Sequence, residues 1–323
     1  MKNSIKVTPV MGSMCLHTRK KIATVLCEYP RTLHAELLTH RVFSKNSAST
    51  RAIPTKKAIQ NANENPAIYQ WTSNKSGMAG NRITDEEVLT KAELLYQTGL
   101  KTISEIVAAL GLPESEGGLN IHKQHACRLL EPFSNIRIVL TSTEWENFDW
   151  LRIDPMAFPE IEILATKVKE ARESLEYVPL THGQWHVPFV TRKFRSEHGK
   201  PEIQYFHPVT NAELTIDAAK ELSMSLCAQT SFRNNDASDE KTGSVIDKLF
   251  GGNKVHASPS EHQATPFDPN LYDMVTKVPV TSISASQYKG LTGVKLDGSL
   301  NSGNFVNWVQ NRQLIPNHDK ALF

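Results

Sequence analysis

The sequence predicts an α+β protein on two observations. β-prone runs stand at 22–26 and 136–140, and the stretch 179–215, rich in Pro, His and aromatic residues, reads as strands and turns. Amphipathic helical patterns lie around them. The clearest covers 160–177, where Ile161, Leu164, Val168 and Leu175 recur on one side.

Taken in order, residues 1–19 carry little pattern and are expected to be poorly ordered. The first β-prone run ends near Pro30. Residues 31–41 then read as a helix that buries Leu33 and Leu37 and presents His40 and Arg41 at its C-terminal end. Residues 55–83 are polar and irregular, punctuated by Pro66, Trp71, Gly77 and Gly80. Two helices are expected next. Thr84-Asp-Glu-Glu87 is a capping box for the first, Thr102-Ile-Ser-Glu105 opens a second that stops at Gly111, and Gly99 sits in the turn between. Residues 123–130 read as a helix ending before Pro132. Over 143–154, Trp145, Phe148 and Leu151 recur at helical spacing, with Asn147 and Arg152 at the margins of that stripe. Residues 218–227 are helical in pattern, and a short helix at 245–250 precedes Gly251-Gly252. Residues 265–323, rich in Pro, Ser, Gly and Asn, read as an extension with little core of its own, anchored by Phe305 and Trp308. No internal repeat is present.

Composition bounds the function. A chain of 323 residues accommodates one large domain or two ordinary ones, and 39% hydrophobic with 22% charged residues describes a soluble globular protein. A net charge of +2 argues against a general polyanion binder, so no nucleic-acid partner is expected. No apolar run reaches the roughly 18 residues of a membrane helix, so no membrane partner is expected. The basic Arg19-Lys20-Lys21 is not followed by the apolar run of a secretory signal. Cys15, Cys27, Cys127 and Cys227 lie far apart with no CxxC pair, so no metal and no disulfide framework is expected. Cytoplasmic is the expected location.

Residues 39–54 concentrate polar chemistry. Arg41 and Arg51 offer planar forks for phosphate or carboxylate, and Ser44, Asn46, Ser47, Ser49 and Thr50 supply short-range hydrogen bonds. A site for a phosphorylated ligand and a solvated helix end with a polar loop both fit that composition.

Three blocks then carry a resemblance. The stretch His40-Arg41-x-x-Ser44-x-Asn46-x-x-Ser49-x-Arg51 resembles the RHRxxSxNExSxR signature of the flavin-dependent thymidylate synthases. Arg128-Leu-Leu-Glu-Pro132, then Thr143-Glu-Trp-Glu-Asn147-Phe-Asp-Trp-Leu-Arg152-x-Asp154-x-x-Ala157-x-x-Glu160-Ile161, resembles that family's NxRxxxNFxxLRxDxHAQxEI region. Cys227-Ala-Gln-Thr-Ser231-Phe232, Asp239-Glu240 and His256-Ala-Ser258-Pro-Ser-Glu261-His262 are similar to its ARVSF…EE…GHxTPFEH segment. In the usual family member this third block precedes the signature, so the segment order here looks circularly permuted, as in bacteriophage-encoded members. Permutation is physically reasonable where the original termini lie close together at the surface.

The resemblance implies an antiparallel sheet with flanking helices. It implies a single catalytic domain over 20–262, assembled from 20–177 and 225–262 with 179–224 connecting, and a C-terminal extension at 263–323. It further implies reductive methylation of dUMP to dTMP with FAD as cofactor, NADPH and methylenetetrahydrofolate as co-substrates, and no cysteine nucleophile. None of the four cysteines follows a proline, as the Pro-Cys motif of the flavin-free synthases requires. A homotetramer with shared active sites is implied, in the host cytoplasm if phage-encoded.

By the same resemblance Arg152 contacts the uracil ring and polarises it for attack at C6. Arg51 and Arg128 bind the dUMP phosphate, Ser49 contacts the nucleotide, and Glu36 stands where the family has a glutamine. His40, Arg41, Asn46, Asn147, Leu151, Ser258 and Glu261 match FAD-contacting positions. Each has a plainer reading. Arg152 could snorkel to solvent, Arg128 could pair with Gln124, His40 could be a satisfied structural histidine, and Ser258-Pro-x-Glu261 could be a helix cap.

Departures from the pattern include Thr39, Ser47 and Ala52 in the signature, Thr141, Thr143, Met156 and Phe158 in the second block, and Gln229 in the third. With those polar contacts gone, Lys56, Lys57 or Arg82 become candidates to hold the flavin diphosphate. Other readings are a related flavoenzyme making a hydroxymethylated pyrimidine nucleotide, a nucleotide-binding protein without catalysis, and a helix-turn-helix DNA-binding protein built on 85–111.

Overall fold

The computed structural model describes residues 4–77, 80–197, 200–231, 235–252, 255–271 and 290–319. In chain order it contains β1 (Lys6–Cys15), β2 (Lys21–Pro30), α1 (His34–Leu38), β3 (Ser44–Ser47) and α2 (Thr55–Glu64). There follow the short ribbon β4 (Thr72–Ser73) and β5 (Asn81–Arg82), then α3 (Glu86–Gly111), α4 (Lys123–Ala126) and β6 (Asn135–Ser142). Next come α5 (Glu146–Arg152), α6 (Pro159–Glu173), β7 (Tyr177–Leu180), β8 (Thr191–Glu197), β9 (Lys200–Phe206) and β10 (Glu213–Leu214). The remainder is α7 (Ile216–Ala228), α8 (Asp239–Phe250), β11 (Ala264–Pro266), β12 (Gly293–Val294), β13 (Leu300–Ser302), β14 (Phe305–Val306) and β15 (Trp308–Gln310). Short 3₁₀ turns flank several of these.

The organising sheet runs β3-β6-β2-β1-β7. All its pairings are antiparallel except that of β1 with β7. The expected α+β architecture is therefore present. Because side chains alternate across a strand, each strand has two faces. One buries Ala23, Val25 and Cys27 of β2 with Ile136, Ile138 and Leu140 of β6. Against it lie Ile161, Leu164, Ala165 and Val168 of α6, as the helical periodicity predicts, together with Leu33, Leu37, Phe43 and Phe148. Each such large side chain, fully buried, stabilises by about 1.5–3 kcal/mol relative to exposure.

The other face is polar. The register pairs Thr24 with Thr141 and Thr141 with Ser44, which sets three hydroxyls in a row across β2, β6 and β3. Arg192 Nη1 donates to Ser13 Oγ (2.6 Å) and Nη2 to the Gly12 carbonyl (2.7 Å). Ser13 Oγ meets His186 Nδ1 at 2.8 Å, and His186 Nε2 meets Thr24 Oγ1 at 2.8 Å. Thr24 Oγ1 meets Thr141 Oγ1 at 2.7 Å, and Thr141 Oγ1 meets His262 Nδ1 at 2.9 Å. The chain of bonds fastens 186–192 and 261–263 onto the sheet.

Four expectations are corrected. Most of the stretch expected to be poorly ordered is β1, hydrogen-bonded along most of its length to β2. The irregular 55–83 contains the ten-residue helix α2. The two helices expected around Gly99 are one helix of 26 residues, capped by Asp85, whose Oδ1 accepts from Glu87 and Val88 N–H. Gly99 runs through it because Phe133 packs there; a Cβ would stand 3.4 Å from Phe133 Cζ. No helix-turn-helix exists over 85–111, so the DNA-binding reading loses its motif. Finally, 290–314 has more core than expected, with Phe305 and Trp308 as its anchors. β15 pairs with β11, Phe305 and Trp308 are fully buried, and Phe267, Leu291, Leu300 and Val309 form a cluster of their own.

Candidate functional site

The three sequence blocks meet along β3, the edge strand. On one side stand α1 and α5. Arg152, in the last turn of α5, donates from Nη1 to Glu36 Oε1 and from Nε to His40 Nε2 (2.9 Å). Residues 112 and 116 positions apart in sequence thus share one guanidinium. Nη2 makes no bond within the described residues. The His40 ring lies over Phe43 (centroids 5.8 Å, 26°) and edge-on to Phe148 (4.9 Å). Burial, then the Arg152 and Lys45 charges, bring the His40 pKa down to about 4. The imidazole is therefore neutral, accepting at Nε2 and protonated at Nδ1.

Lys45, on β3 itself, donates to the Leu38 and His40 carbonyls at 3.1 Å each. Burial lowers its pKa, and the nearby Glu261 carboxylate works against that. Glu261 belongs to the third block, on the 3₁₀ turn Ser258–Glu261 that packs against β3. Its carboxylate pairs with Arg312 Nη1; burial raises its pKa, while Arg312 and Lys45 oppose the rise. Asn46 donates from Nδ2 to the Cys227 carbonyl (2.8 Å), the second tie between signature and third block. Gln310 completes the junction by donating to Ser44 Oγ (2.9 Å) and the Glu261 carbonyl (2.8 Å).

The remaining expected residues lie around this cluster at the surface. Arg41 and Arg51, just before and just after the strand, are exposed and make no ion pair within the described residues. The turn Thr50–Ala52 that carries Arg51 packs on α4, and Arg128 follows that helix, exposed and 3.6 Å from Glu131. Ser49 is half-buried at the start of that turn. Asn147, Leu151 and Ser258 are exposed. The structure thus brings Glu36, His40 and Arg152 into contact and sets Asn46 and Glu261 beside them. Among the described residues the side chains of Arg41, Arg51, Arg128, Asn147, Leu151 and Ser258 make no hydrogen bond or ion pair with that cluster.

Lys45 was not singled out in the sequence, although it occupies a variable position of the signature. Gln310 and Arg312, which the sequence offers with Gly303-Asn304-Phe305 and Trp308 either as lining of a substrate site or as a packing anchor, reach Ser44 and Glu261 from the last described segment. Thr141 and Thr143, which depart from the pattern the second block resembles, are committed internally. Thr141 joins the buried hydroxyl row, and Thr143 Oγ1 accepts from Val306 N–H at 3.0 Å. Lys56 and Lys57 are likewise occupied, with Glu116 (3.2 Å) and Gln60 (3.0 Å). All four cysteines are buried and free. Burial pushes the Cys27, Cys127 and Cys227 thiols up, away from thiolate. Among the described residues no group of three His, Cys, Asp or Glu could hold a metal ion, and no helix is long and apolar enough to cross a membrane.

No protein-family model and no curated protein matches the chain. Among solved structures it is similar to a UMP/dUMP methylase, PolB from Streptomyces cacaoi, bound with 5-Br UMP. The identity is 15% and the TM-score 0.41, over 54% of this chain and 91% of that one. It is also similar to the flavin dependent thymidylate synthase ThyX from Helicobacter pylori, complexed with FAD and dUMP. There the identity is 17% and the TM-score 0.30, over 47% of this chain and 67% of that one. Scores of this size decide nothing about activity, which has to come from the chain's own residues.

Proposed function

We propose that the chain is a flavin-dependent thymidylate synthase with permuted segments, converting dUMP to dTMP at the edge of strand β3. The observation that carries this reading is the meeting of three distant sequence blocks on one strand, through Arg152 with His40 and Asn46 with the Cys227 carbonyl. Exposed cations with no carboxylate partner among the described residues, Arg41 and Arg51, lie at either end of that strand. Guanidinium forks suit phosphate dianions.

In this reading Glu36 and His40 hold the Arg152 guanidinium in one orientation and leave Nη2 to donate to a uracil carbonyl. A donor fixed before the ligand arrives needs no reorganisation as charge develops on that oxygen. Neutral His40 contributes orientation and no charge. Arg51, Arg128 and Ser49 take the phosphate end of dUMP. The donor set at β3 fits the diphosphate of FAD: Arg41 has no ion pair among the described residues, and Lys45 and Arg312 act on Glu261. His40, Arg41, Asn46, Asn147, Leu151, Ser258 and Glu261 would hold that cofactor, which supplies the hydride when reduced by NADPH. Methylenetetrahydrofolate brings the carbon. The three thiols driven away from thiolate by burial suit a route with no enzyme cysteine nucleophile. Assembly of four copies belongs to the same reading; exposed Trp150, Met156 and Phe158 beside Arg152 are apolar surface that a second copy would cover.

The test is direct. Purified protein should be yellow, bleach with NADPH, and form dTMP from dUMP and methylenetetrahydrofolate. A colourless protein that takes up no FAD, or a flavoprotein that converts dUMP to a hydroxymethylated product, overturns the proposal.

A further inference from the structure

A recess of about 340 Å³ opens between residues 67–71, strand β5 and helix α3, and Arg82, a candidate from the sequence for the flavin diphosphate, lines it. Tyr69, Trp71 and Tyr96 form its wall, with ring centroids 5.7–6.2 Å apart, and Phe133 backs Tyr96 at 4.9 Å. The wall is fixed in advance. Both tyrosine hydroxyls donate to the Pro132 carbonyl, at 2.7 and 3.2 Å, and the Tyr69 oxygen also meets Thr32 Oγ1 at 3.0 Å. Burial accordingly pushes both phenols up. The half-buried Trp71 makes no hydrogen bond through its indole N–H within the described residues.

Polar groups stand at the mouth uncommitted. Arg82 and Glu93 are exposed, line the recess and form no ion pair within the described residues. Behind the wall the buried Glu160 accepts from Gln70 N–H with Oε1, while Oε2 has no partner among the described residues and the Arg82 charge acts on the carboxyl. The recess is also close to the candidate site, since Thr32, which touches Tyr69, stands one turn before Glu36.

We propose that this recess binds an amino-bearing planar heteroaromatic ring with an anionic arm, the ring against Trp71 and Tyr96 and the arm at Arg82. A π-face stacks on aromatic side chains irrespective of its substituents. The free indole N–H and the Glu93 carboxylate supply one donor and one acceptor for the ring edge. Arg82 selects an anion. A simple cation, which aromatic rings also attract, meets the Arg82 charge at the mouth. Two sources share the required chemistry: the pterin–glutamate of a reduced folate and the adenine nucleotide of NADPH. Naming those two rests on the function proposed above; the recess itself does not.

The experiment measures binding of 5-formyltetrahydrofolate and of NADP⁺, each alone, to the full chain by calorimetry, with dUMP as a separate titration. One of the two should bind, at least about tenfold more weakly to Arg82→Ala and to Trp71→Leu, with dUMP affinity kept within about twofold. Arg82 is exposed, so its variant folds independently of the outcome at Trp71. If neither ligand binds, or binding is indifferent to both substitutions, the proposal is overturned. It is also overturned if Trp71→Leu changes the oligomeric state instead, because the recess is then an interface between copies. Loss of dUMP binding by the unmodified chain, with ring binding still sensitive to Arg82, would strike the proposed function and leave the recess standing.

Discussion

Acid should destabilise this protein steeply, and the slope can be worked from four histidines. His34 and His40 are brought down to about 4 and His262 to about 3, in each case chiefly by burial, and His186 well below the ordinary range. A histidine whose folded pKa is depressed stays neutral in the fold while the unfolded chain takes up a proton. Stability is then lost as pH falls through the unfolded value near 6.5. At pH 5.5 each unfolded histidine is about nine-tenths protonated, so the four contribute at most about 3.6 protons, or a slope of at most about 5 kcal/mol per pH unit, less as solvent screens the partly exposed His34. Glu160 and Glu261, raised by burial, bind protons more readily folded than unfolded and oppose this by up to about one proton each. The net slope therefore lies between about 2 and 5 kcal/mol per unit, enough to exhaust a typical stability of about 5–15 kcal/mol within a few pH units. Urea unfolding at steps between pH 7 and 5 measures it, with potentiometric proton uptake on unfolding as a check that needs no two-state assumption. The perturbation is His262→Gln, which removes one proton from the difference and should flatten the slope by about 1.3 kcal/mol per unit however much it lowers stability at neutral pH. A wild-type slope below about 1.4 kcal/mol per unit, one proton or less, refutes the reasoning.

Other consequences are independent of that one. Arg152→Lys loses the Nε donor to His40 and the fork to Glu36, so dUMP affinity by calorimetry should fall about tenfold or more, with Glu36→Gln falling less. Trp308→Ala removes a fully buried indole whose N–H donates to the Lys20 carbonyl at 3.1 Å. It should cost about 3–5 kcal/mol in urea unfolding; a loss below about 1 kcal/mol would refute the buried placement. Gly99→Ala gains helix propensity and sets a methyl 3.4 Å from Phe133, so stability should hold or rise by up to about 1 kcal/mol. A turn at that position would give a loss instead.

How much of this was legible in the sequence follows from what each feature depends on. Helix α6 was legible because its apolar stripe repeats within its own 15 residues. Strand β1 was not. It contains Pro9, where the register with β2 shifts, and Gly12, whose Cβ would come within 2.8 Å of the Glu176 carbonyl oxygen. Both residues read as turn formers locally, and both are there for a bulge and for the close approach of β7. Strands β11 to β15 are two or three residues long, too short for alternation to register. Gly99 misled because its reason is Phe133, 34 positions away. Of the site, the motif letters pointed to β3, but the contact of Arg152 with Glu36 and His40 spans more than 110 residues and has no local signature. Lys45, Gln310 and Arg312 are placed by the same long-range packing.

The polar row on the sheet links the fold to the site. An apolar face would have covered itself with any helix; a row of Ser44, Thr141 and Thr24 accepts only segments that bring matching groups. His186, His262 and Gln310 do so, and each arrives from a different part of the chain. The proton positions are constrained as well. A guanidinium only donates, so Ser13 accepts from Arg192. The direction that leaves fewest buried groups unsatisfied runs from the Ser13 hydroxyl to His186 Nδ1, on through Thr24 and Thr141, to His262 Nδ1. Both imidazoles then carry their proton on Nε2, and that of His262 finds no partner among the described residues. The reverse direction strands the Ser13 hydroxyl as well. Since Glu261 immediately precedes His262 and Asn46 shares a strand face with Ser44 along β3, the same row that seats the third block fixes where its carboxylate pairs with Arg312 and feels the Lys45 charge. Register in this sheet is therefore set by hydrogen bonds as much as by burial, and a one-residue slip of β3 would move Ser44 off the row and the site apart with it.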